Sequence, residues 1–250
     1  MVNPPNKLLI CFTYWAGDRE QSGKLARLVA DLEPRISENA DVLFSARFDC
    51  THDVPTIEYV AKKFHVHTNI CRGRRGIGWP AGCNDIVFGT LDYVYSHASA
   101  RRISPYKAVA LLEADSSPLR PGWIEELSNA WDEASRPGRP LRVFGPLLPT
   151  GVKEAGHQHI NGNCLVSGDM GFLHWFTRKI GGCSPRAGWD WSMAPQFKRM
   201  GWADCKQMKS WWRCPQVTQE QYDQLLSEGA VYLHGCKTDD VYNLVRKRWL

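Results

Sequence analysis

Five segments of this chain carry side chains whose types and spacing suit a common chemistry. Glu113-Ala-Asp115 follows the apolar run Ala108-Val-Ala-Leu-Leu112. If that run is a strand, alternation puts both carboxylates on one side of its end. Two carboxylates at a sheet edge form a hard-oxygen site for Mn²⁺ or Mg²⁺, an ion commonly completed by substrate phosphates. Val231-Tyr-Leu-His-Gly-Cys-Lys237 delivers His234 from another strand. A neutral imidazole there completes a metal shell, and Lys237 neutralises a diphosphate. Asp190 lies between Trp189 and Trp191, where partial burial raises its pKa and suits it to take a proton from a hydroxyl. In Gly156-His-Gln-His-Ile-Asn-Gly-Asn163, the side chains of Asn161 and Asn163 both donate and accept, which suits sugar hydroxyls. Finally, Arg72-Gly-Arg-Arg-Gly-Ile-Gly-Trp-Pro-Ala-Gly-Cys-Asn84 has three arginines and four glycines, a composition for cradling phosphate where a loop enters a helix. Arg72, Arg75 and Asn84 are its candidate contacts.

Each segment also has a plainer reading. Acids at strand ends are common, Asn-Gly makes turns, and a histidine on a strand is often structural. An aspartate at a helix start is often only a cap, and an arginine-rich loop is often only a solvated one. The weight lies in their combination and in where the elements put them.

Leu8–Phe12, Val42–Phe44, Val66–Ile70 and Ala108–Leu112 read as strands. Between them, helical spacing is expected from Ser22 through Ile36, from Pro55 to about Phe64, and from Asn84 to about His97. The alternation β-α-β-α-β-α-β predicts an α/β fold with a mostly parallel central sheet and right-handed crossovers. In such sheets ligands sit beyond the carboxyl ends of the strands, so loops 13–18, 71–84 and 113–120 are expected to face one site. The second half is less regular. Helices are expected at Trp123–Ala134, from Asp169 to Ile180, and after the capping box Thr218-Gln-Glu-Gln221, with Gly229 ending the last. A short strand is expected at Leu141–Phe144, and residues 145–163 read as a loop. No repeat or linker stands out. One domain is expected over 1–250, with 1–112 its nucleotide-binding half and 113–250 its metal, acceptor and closing half.

The chain has 250 residues, 43% of them hydrophobic and 23% charged, with a net charge of +5. That excludes a disordered protein, and no apolar run approaches the roughly 20 residues needed to cross a bilayer. Met1–Lys7 shows no apolar signal segment, so a cytoplasmic protein is expected. Nine cysteines, an odd count, are expected to be reduced thiols. A zinc site among Cys183, Cys205, Cys214 and Cys236 is disfavoured because no C-x-x-C pair occurs. The mild positive charge suits phosphate handling. The 11 tryptophans suit sugar or base stacking, with core packing the ordinary alternative.

Taken together, the segments resemble a GT-A-fold glycosyltransferase. Glu113-Ala-Asp115 looks like a variant of that family's D-x-D motif, and Pro118-Leu-Arg-Pro-Gly-Trp123 follows it. His159-Ile-Asn-Gly-Asn163 looks like the family's H-[IM]-N-G-N segment. His234-Gly-Cys-Lys237 is similar to the His-Gly-x-Lys element that closes over the metal-diphosphate. The resemblance implies a Rossmann-like nucleotide-diphospho-sugar transferase fold, a divalent metal (Mn²⁺ or Mg²⁺), and a nucleotide-sugar donor, a UDP-sugar in the first instance. Asp115, with Glu113 and His234 assisting, is expected to hold the metal. Because the first D-x-D acid is Glu here, Asp115 is the firmer ligand. Thr13, Tyr14 and Asp18 are expected to meet the nucleoside, Asn161 and Asn163 the donor sugar or the acceptor, Lys237 the diphosphate, and Asp190 the acceptor hydroxyl in an inverting transfer, with a retaining transfer the alternative if Asp190 lies far from the sugar.

Size and motifs further resemble the phage-encoded TET-associated glycosyltransferases, which implies DNA carrying 5-hydroxymethylcytosine as acceptor. The net charge, Arg72, Arg74, Arg75 and Arg246-Lys-Arg248 would hold a phosphate backbone. Trp189, Trp191, Trp211 and Trp212 would receive an extruded base. Glycan or other non-DNA acceptors, a nucleotidyltransferase, and a non-catalytic DNA-binding module are the alternatives.

Overall fold

A computed structural model of the chain describes residues 6–72, 76–103, 105–136, 138, 140–149, 158–183, 186–214 and 216–250. The first half alternates as expected. Strand β1 (Leu8–Tyr14), helix α1 (Arg19–Leu32), β2 (Ala40–Arg47), α2 (Val54–Val60), β3 (Val66–Cys71), α3 (Ala81–Ser99) and β4 (Ala108–Glu113) follow in order. Then come β5 (Ser116–Pro118), α4 (Trp123–Ala134), β6 (Val143–Gly145), β7 (Leu147–Pro149), β8 (Gln158–Ile160), β9 (Cys164–Ser167), α5 (Met170–Gly181) and α6 (Trp189–Met200). Strands β10 (Trp202–Asp204) and β11 (Met208–Cys214), helix α7 (Gln219–Ser227), strand β12 (Tyr232–Cys236) and helix α8 (Asp240–Trp249) complete the chain.

Seven strands form the central sheet in the order β10-β6-β9-β4-β1-β2-β3. Both halves of the sequence share it. All neighbours run parallel except at β9, which is antiparallel to β4 and to β6. The side chains of β1 divide between two cores: Leu8, Ile10 and Phe12 face one, while Leu9 and Cys11 face the other. A strand covered on both faces must be apolar throughout, which is why Leu8–Phe12 reads as an unbroken hydrophobic run.

The reversed strand decides where the Asn-Gly-Asn segment goes. In the β4–β9 ladder Leu111 pairs with Cys164, so β9 begins beside the end of β4. The loop that precedes β9 is therefore delivered to the carboxyl ends of the parallel strands. A second, three-stranded sheet (β11-β12-β5) does the same for His234, which lies opposite Ser116 in the antiparallel β12–β5 pair.

Several boundaries differ from the sequence expectation for local reasons. Helix α1 ends at Leu32 and leaves Ile36 exposed, because Glu33 is extended ahead of Pro34. Strand β4 ends at Glu113, so Asp115 stands in the turn before β5 and alternation is not what aligns the two acids. The expected loop 145–163 contains the β7–β8 hairpin, with residues 150–157 outside the described ones. Both expected caps are present: Asp169 accepts from the Phe172 N–H, and Thr218 and Gln221 form a capping box. The eight cysteines with described side chains are free thiols, and Cys214 falls outside that set.

Candidate active site

The carboxyl ends of β1, β2 and β4, the start of β9, the N-terminus of α6 and strand β12 meet at one pole. Glu113, Asp115 and His234 each offer a ligand atom there, all within 4.8 Å of one another. His234 Nε2 lies 3.4 Å from Glu113 Oε2 and 3.4 Å from Asp115 Oδ1. Its Nδ1 is 3.0 Å from Ser210 Oγ on β11, which orients the ring. Lys237 forms an ion pair with Asp115.

Backbone contacts lock this arrangement. The N–H groups of Gly235 and Cys236 donate to the Asp115 carbonyl at 2.9 and 2.8 Å. Gly235 has φ +99°, in the range that glycine adopts without a Cβ clash. Asn163 is fully buried, and its Oδ1 accepts from the Glu113 N–H at 2.8 Å. The Asn163 N–H in turn donates to Asn161 Oδ1 at 2.9 Å. Gly162 lets this loop approach: a Cβ there would stand 3.3 Å from Glu113 Oε1.

Charge is balanced within the cluster. Burial works against ionised Asp115, but hydrogen bonds and charge from His234 and Lys237 hold its pKa down to about 2. Burial likewise pulls the His234 pKa down, but Asp115 and Glu113 push it up to about 9. Without a metal, the imidazolium and Lys237 supply the positive charge that these carboxylates attract. Two carboxylates and one imidazole are a donor set for Mn²⁺ or Mg²⁺, and their mutual spacing fits such an ion. Asp18, at the end of the 3₁₀ turn Ala16–Asp18, lies in the same field. Its pKa is raised by burial, against a hydrogen bond from Trp15, and raised further by Asp115 and Glu113.

Asp190 is in the first turn of α6, close enough to Glu113 and His234 to feel their charge. Burial raises its pKa to about 6, opposed by a hydrogen bond from the Trp191 N–H and reinforced by Glu113. Asn84, expected from the sequence to contact phosphate, instead bonds to the backbone that opens α6. Its Oδ1 accepts from the Trp189 N–H at 2.8 Å and its Nδ2 donates to the Ala187 carbonyl at 3.0 Å, fixing the start of α6 and hence Asp190.

The other expected residues are placed as follows. The Thr13 hydroxyl donates to the Leu112 carbonyl, and the Tyr14 hydroxyl is 2.7 Å from His52 Nδ1, so both hydroxyls are engaged inside the fold. Arg72 is exposed beyond β3, while Arg74 and Arg75 lie outside the described residues. Trp189 is buried in the second core, Trp211 is half-buried, and the Trp212 side chain lies outside the described residues. Trp191 is exposed at the rim, and Trp15, Ile77 and Trp79 are further exposed apolar side chains on loops at this pole.

Three residues join the site with little signal in the sequence. Arg47, buried at the end of β2, forms an ion pair with Asp49 and lies 5.0 Å from the Trp15 ring centroid. Ser210 braces His234. His159 is buried, accepts from Trp191 Nε1 at 2.9 Å, and lies 3.7 Å from Asp190 Oδ2. The resemblance covered His159 as part of a motif but gave it no role.

No described protein family matches the sequence, and no curated protein does. Solved structures do match the fold. Over 94% of this chain and 56% of the other, it superposes on the glycosyltransferase GlyE of Streptococcus pneumoniae TIGR4, with a TM-score of 0.54 and 11% identity. It superposes on a glycosyltransferase involved in glycosylating the major capsid of PBCV-1 with a TM-score of 0.52 and 10% identity, over 96% of this chain and 98% of that one. The bifunctional glycosyltransferase WbbM matches with a TM-score of 0.53 and 8% identity, over 98% of this chain and 50% of the other. The chain thus has a GT-A glycosyltransferase fold and spans about half the length of GlyE and WbbM.

Proposed function

We propose that this chain is a glycosyltransferase that moves a sugar from a nucleotide-sugar to an acceptor hydroxyl. The observation that carries the proposal is the convergence of Glu113, Asp115 and His234 at the carboxyl ends of a GT-A sheet, with Asp190 near enough to feel the charge of Glu113 and His234. Asp115, Glu113 and His234 would hold a divalent cation, Mn²⁺ or Mg²⁺. When bound, such an ion supplies positive charge to a departing nucleoside diphosphate. Lys237 exchanges its ion pair with Asp115 for the diphosphate. Asp190 takes the acceptor proton, for which a carboxyl group with a pKa near 6 is suited. The hydroxyl then attacks the anomeric carbon from the face opposite the leaving group, inverting it.

Asp18 and the turn it ends meet the nucleoside, and Thr13 and Tyr14 shape the end of β1 beneath it. Arg72, exposed beyond β3, reaches the donor phosphates, a role the sequence also gives to Arg75. Asn84 contributes by holding α6. Asn161, which is part-exposed, faces the sugar, whereas Asn163, expected from the sequence to do the same, is fully buried and contributes by holding the Glu113 backbone.

The acceptor is proposed to be 5-hydroxymethylcytosine in DNA, with a UDP-sugar as donor. The net charge of +5 and the exposed Trp15, Trp79 and Trp191 support an aromatic, anionic acceptor. Arg246 and Arg248 lend less than their sequence promises, because they pair with Asp31 and Asp223. The test incubates UDP-, GDP- and ADP-sugars with Mn²⁺ and duplex DNA with or without the modified base, and weighs the digested nucleosides. A hexose- or pentose-sized gain on the modified base alone supports both donor and acceptor. Nucleoside diphosphate released without that gain keeps the transferase and removes the DNA acceptor. Pyrophosphate as product would instead make the chain a nucleotidyltransferase.

A further inference from the structure

A second constellation sits at the opposite end of the sheet. In the β2–β3 ladder Val42 pairs with Val66 and Leu43 with His67, so Asp41 stands opposite His65. The period of two then puts Asp41, His65 and His67 on one face, the face on which Leu43 packs into the second core. Their ligand atoms lie within 4.8 Å of one another. His65 Nδ1 is 3.7 Å from Asp41 Oδ2, and the two imidazoles meet edge to face with centroids 4.5 Å apart.

The surroundings are those of a built site. Asp41 is buried at the start of β2, where a lone carboxylate is costly. Tyr106 donates its hydroxyl to Asp41 Oδ2 at 2.9 Å and lies 3.1 Å from His67 Nε2, touching two of the three candidate ligands. Lys7 donates to the other carboxylate oxygen at 2.9 Å.

We propose that Asp41, His65 and His67 form a zinc site. Two imidazoles and one carboxylate match the borderline-soft preference of Zn²⁺, with water as fourth ligand, whereas the oxygen-rich cleft suits Mn²⁺ or Mg²⁺. Bonds of about 2.0–2.2 Å set tetrahedral ligand atoms about 3.5 Å apart, so atoms now within 4.8 Å of one another draw in where they stand farther apart than that. The exposed His65 ring supplies that movement by side-chain rotation, and Tyr106 holds Asp41 in place as an outer partner. Asp41 and Arg47 lie six residues apart along β2, about 20 Å. The zinc would therefore clamp β2 to the edge strand β3, far from the cleft. It does not depend on the transferase reading.

The test uses the full chain, stripped of metal and dialysed against Zn²⁺, with metal content measured at equilibrium. Wild type, His65→Ala, His67→Ala and the cleft variant Glu113→Gln/Asp115→Asn are compared. Wild type and the cleft variant are expected to share one tight zinc, which raises the melting temperature by about 5–10 °C at a hundredfold excess over Kd. His65→Ala and His67→Ala should each bind that zinc at least tenfold more weakly. His65 is exposed, so its variant should melt as wild type does without metal and turn over donor at the wild-type rate. Failure of wild type to bind zinc at micromolar concentration, or loss of the zinc in the cleft variant but not in His65→Ala, would overturn the proposal.

Discussion

Replacing Asp190 by Asn separates what this side chain costs the fold from what it gives the site. The folded protein raises the Asp190 pKa from 3.8 to about 6, a shift of roughly two units at 1.36 kcal/mol each. The sign follows from which state binds the proton more tightly. Here the folded state does, so ionising Asp190 opposes folding, by about 3 kcal/mol at pH 8 and about 0.5 kcal/mol at pH 4. Asparagine keeps the shape and can accept from the Trp191 N–H, but carries no charge. Its buried amide NH₂ needs partners of its own, at a cost of about 1–3 kcal/mol at either pH, which reduces the gain to about 0–2 kcal/mol at pH 8. For a chain of this size the variant's Tm relative to wild type should therefore be about 5–10 °C more favourable at pH 8 than at pH 4, where the variant melts at or below wild type. The same change removes the proposed base and should lower kcat by about 10²–10⁴. Wild-type kcat should rise with pH through about 6, as the carboxylate forms. Thermal melts of both proteins in chelator at the two pH values, together with donor turnover, make the assay. Equal Tm differences at pH 4 and pH 8, or a variant as active as wild type, would refute the reasoning.

Three further outcomes follow from the geometry. Gly162→Ala should push on Glu113 Oε1, 3.3 Å from the new Cβ, and lower kcat about tenfold while Tm moves by about 2 °C or less, as turnover and melting curves will show. Asn163→Ala removes the acceptor of the Glu113 N–H in a fully buried position and should destabilise the fold by about 1–3 kcal/mol in a urea titration. Trp191→Ala removes both an exposed aromatic face and the donor to His159 Nε2. It should raise the acceptor KM several-fold while leaving donor hydrolysis near wild type.

The central strands were legible because burial on both faces leaves an unbroken apolar signature, as in Leu8–Phe12 and Ala108–Leu112. Both caps were legible because side chain and backbone satisfy each other within three residues, as at Asp169 and Thr218. The reversal of β9 was not, since nothing local in Cys164–Ser167 states which neighbour it joins. That long-range choice is what brings Asn163 to the Glu113 backbone. Asp115 stands in the turn at 114–115, where backbone bonds from Gly235 and Cys236, and not the strand alternation that the sequence suggests, hold it beside Glu113. Arg47 left little trace, because its place depends on where β2 ends relative to Trp15 and Asp49. The strand histidines 65 and 67 drew no notice either, because their partner Asp41 lies 24 residues earlier than His65 in the chain and meets it only through the β2–β3 register.

Glu113, Asp115 and His234 are proposed to form a metal-dependent diphosphate site. The most direct measurement is a calorimetric titration of UDP, GDP and ADP into metal-stripped protein, with and without Mn²⁺, for wild type and Asp115→Asn. One nucleotide should bind wild type at least tenfold more tightly with Mn²⁺ than without, and the substitution should abolish that gain. Binding that is indifferent to both Mn²⁺ and Asp115 would contradict the account.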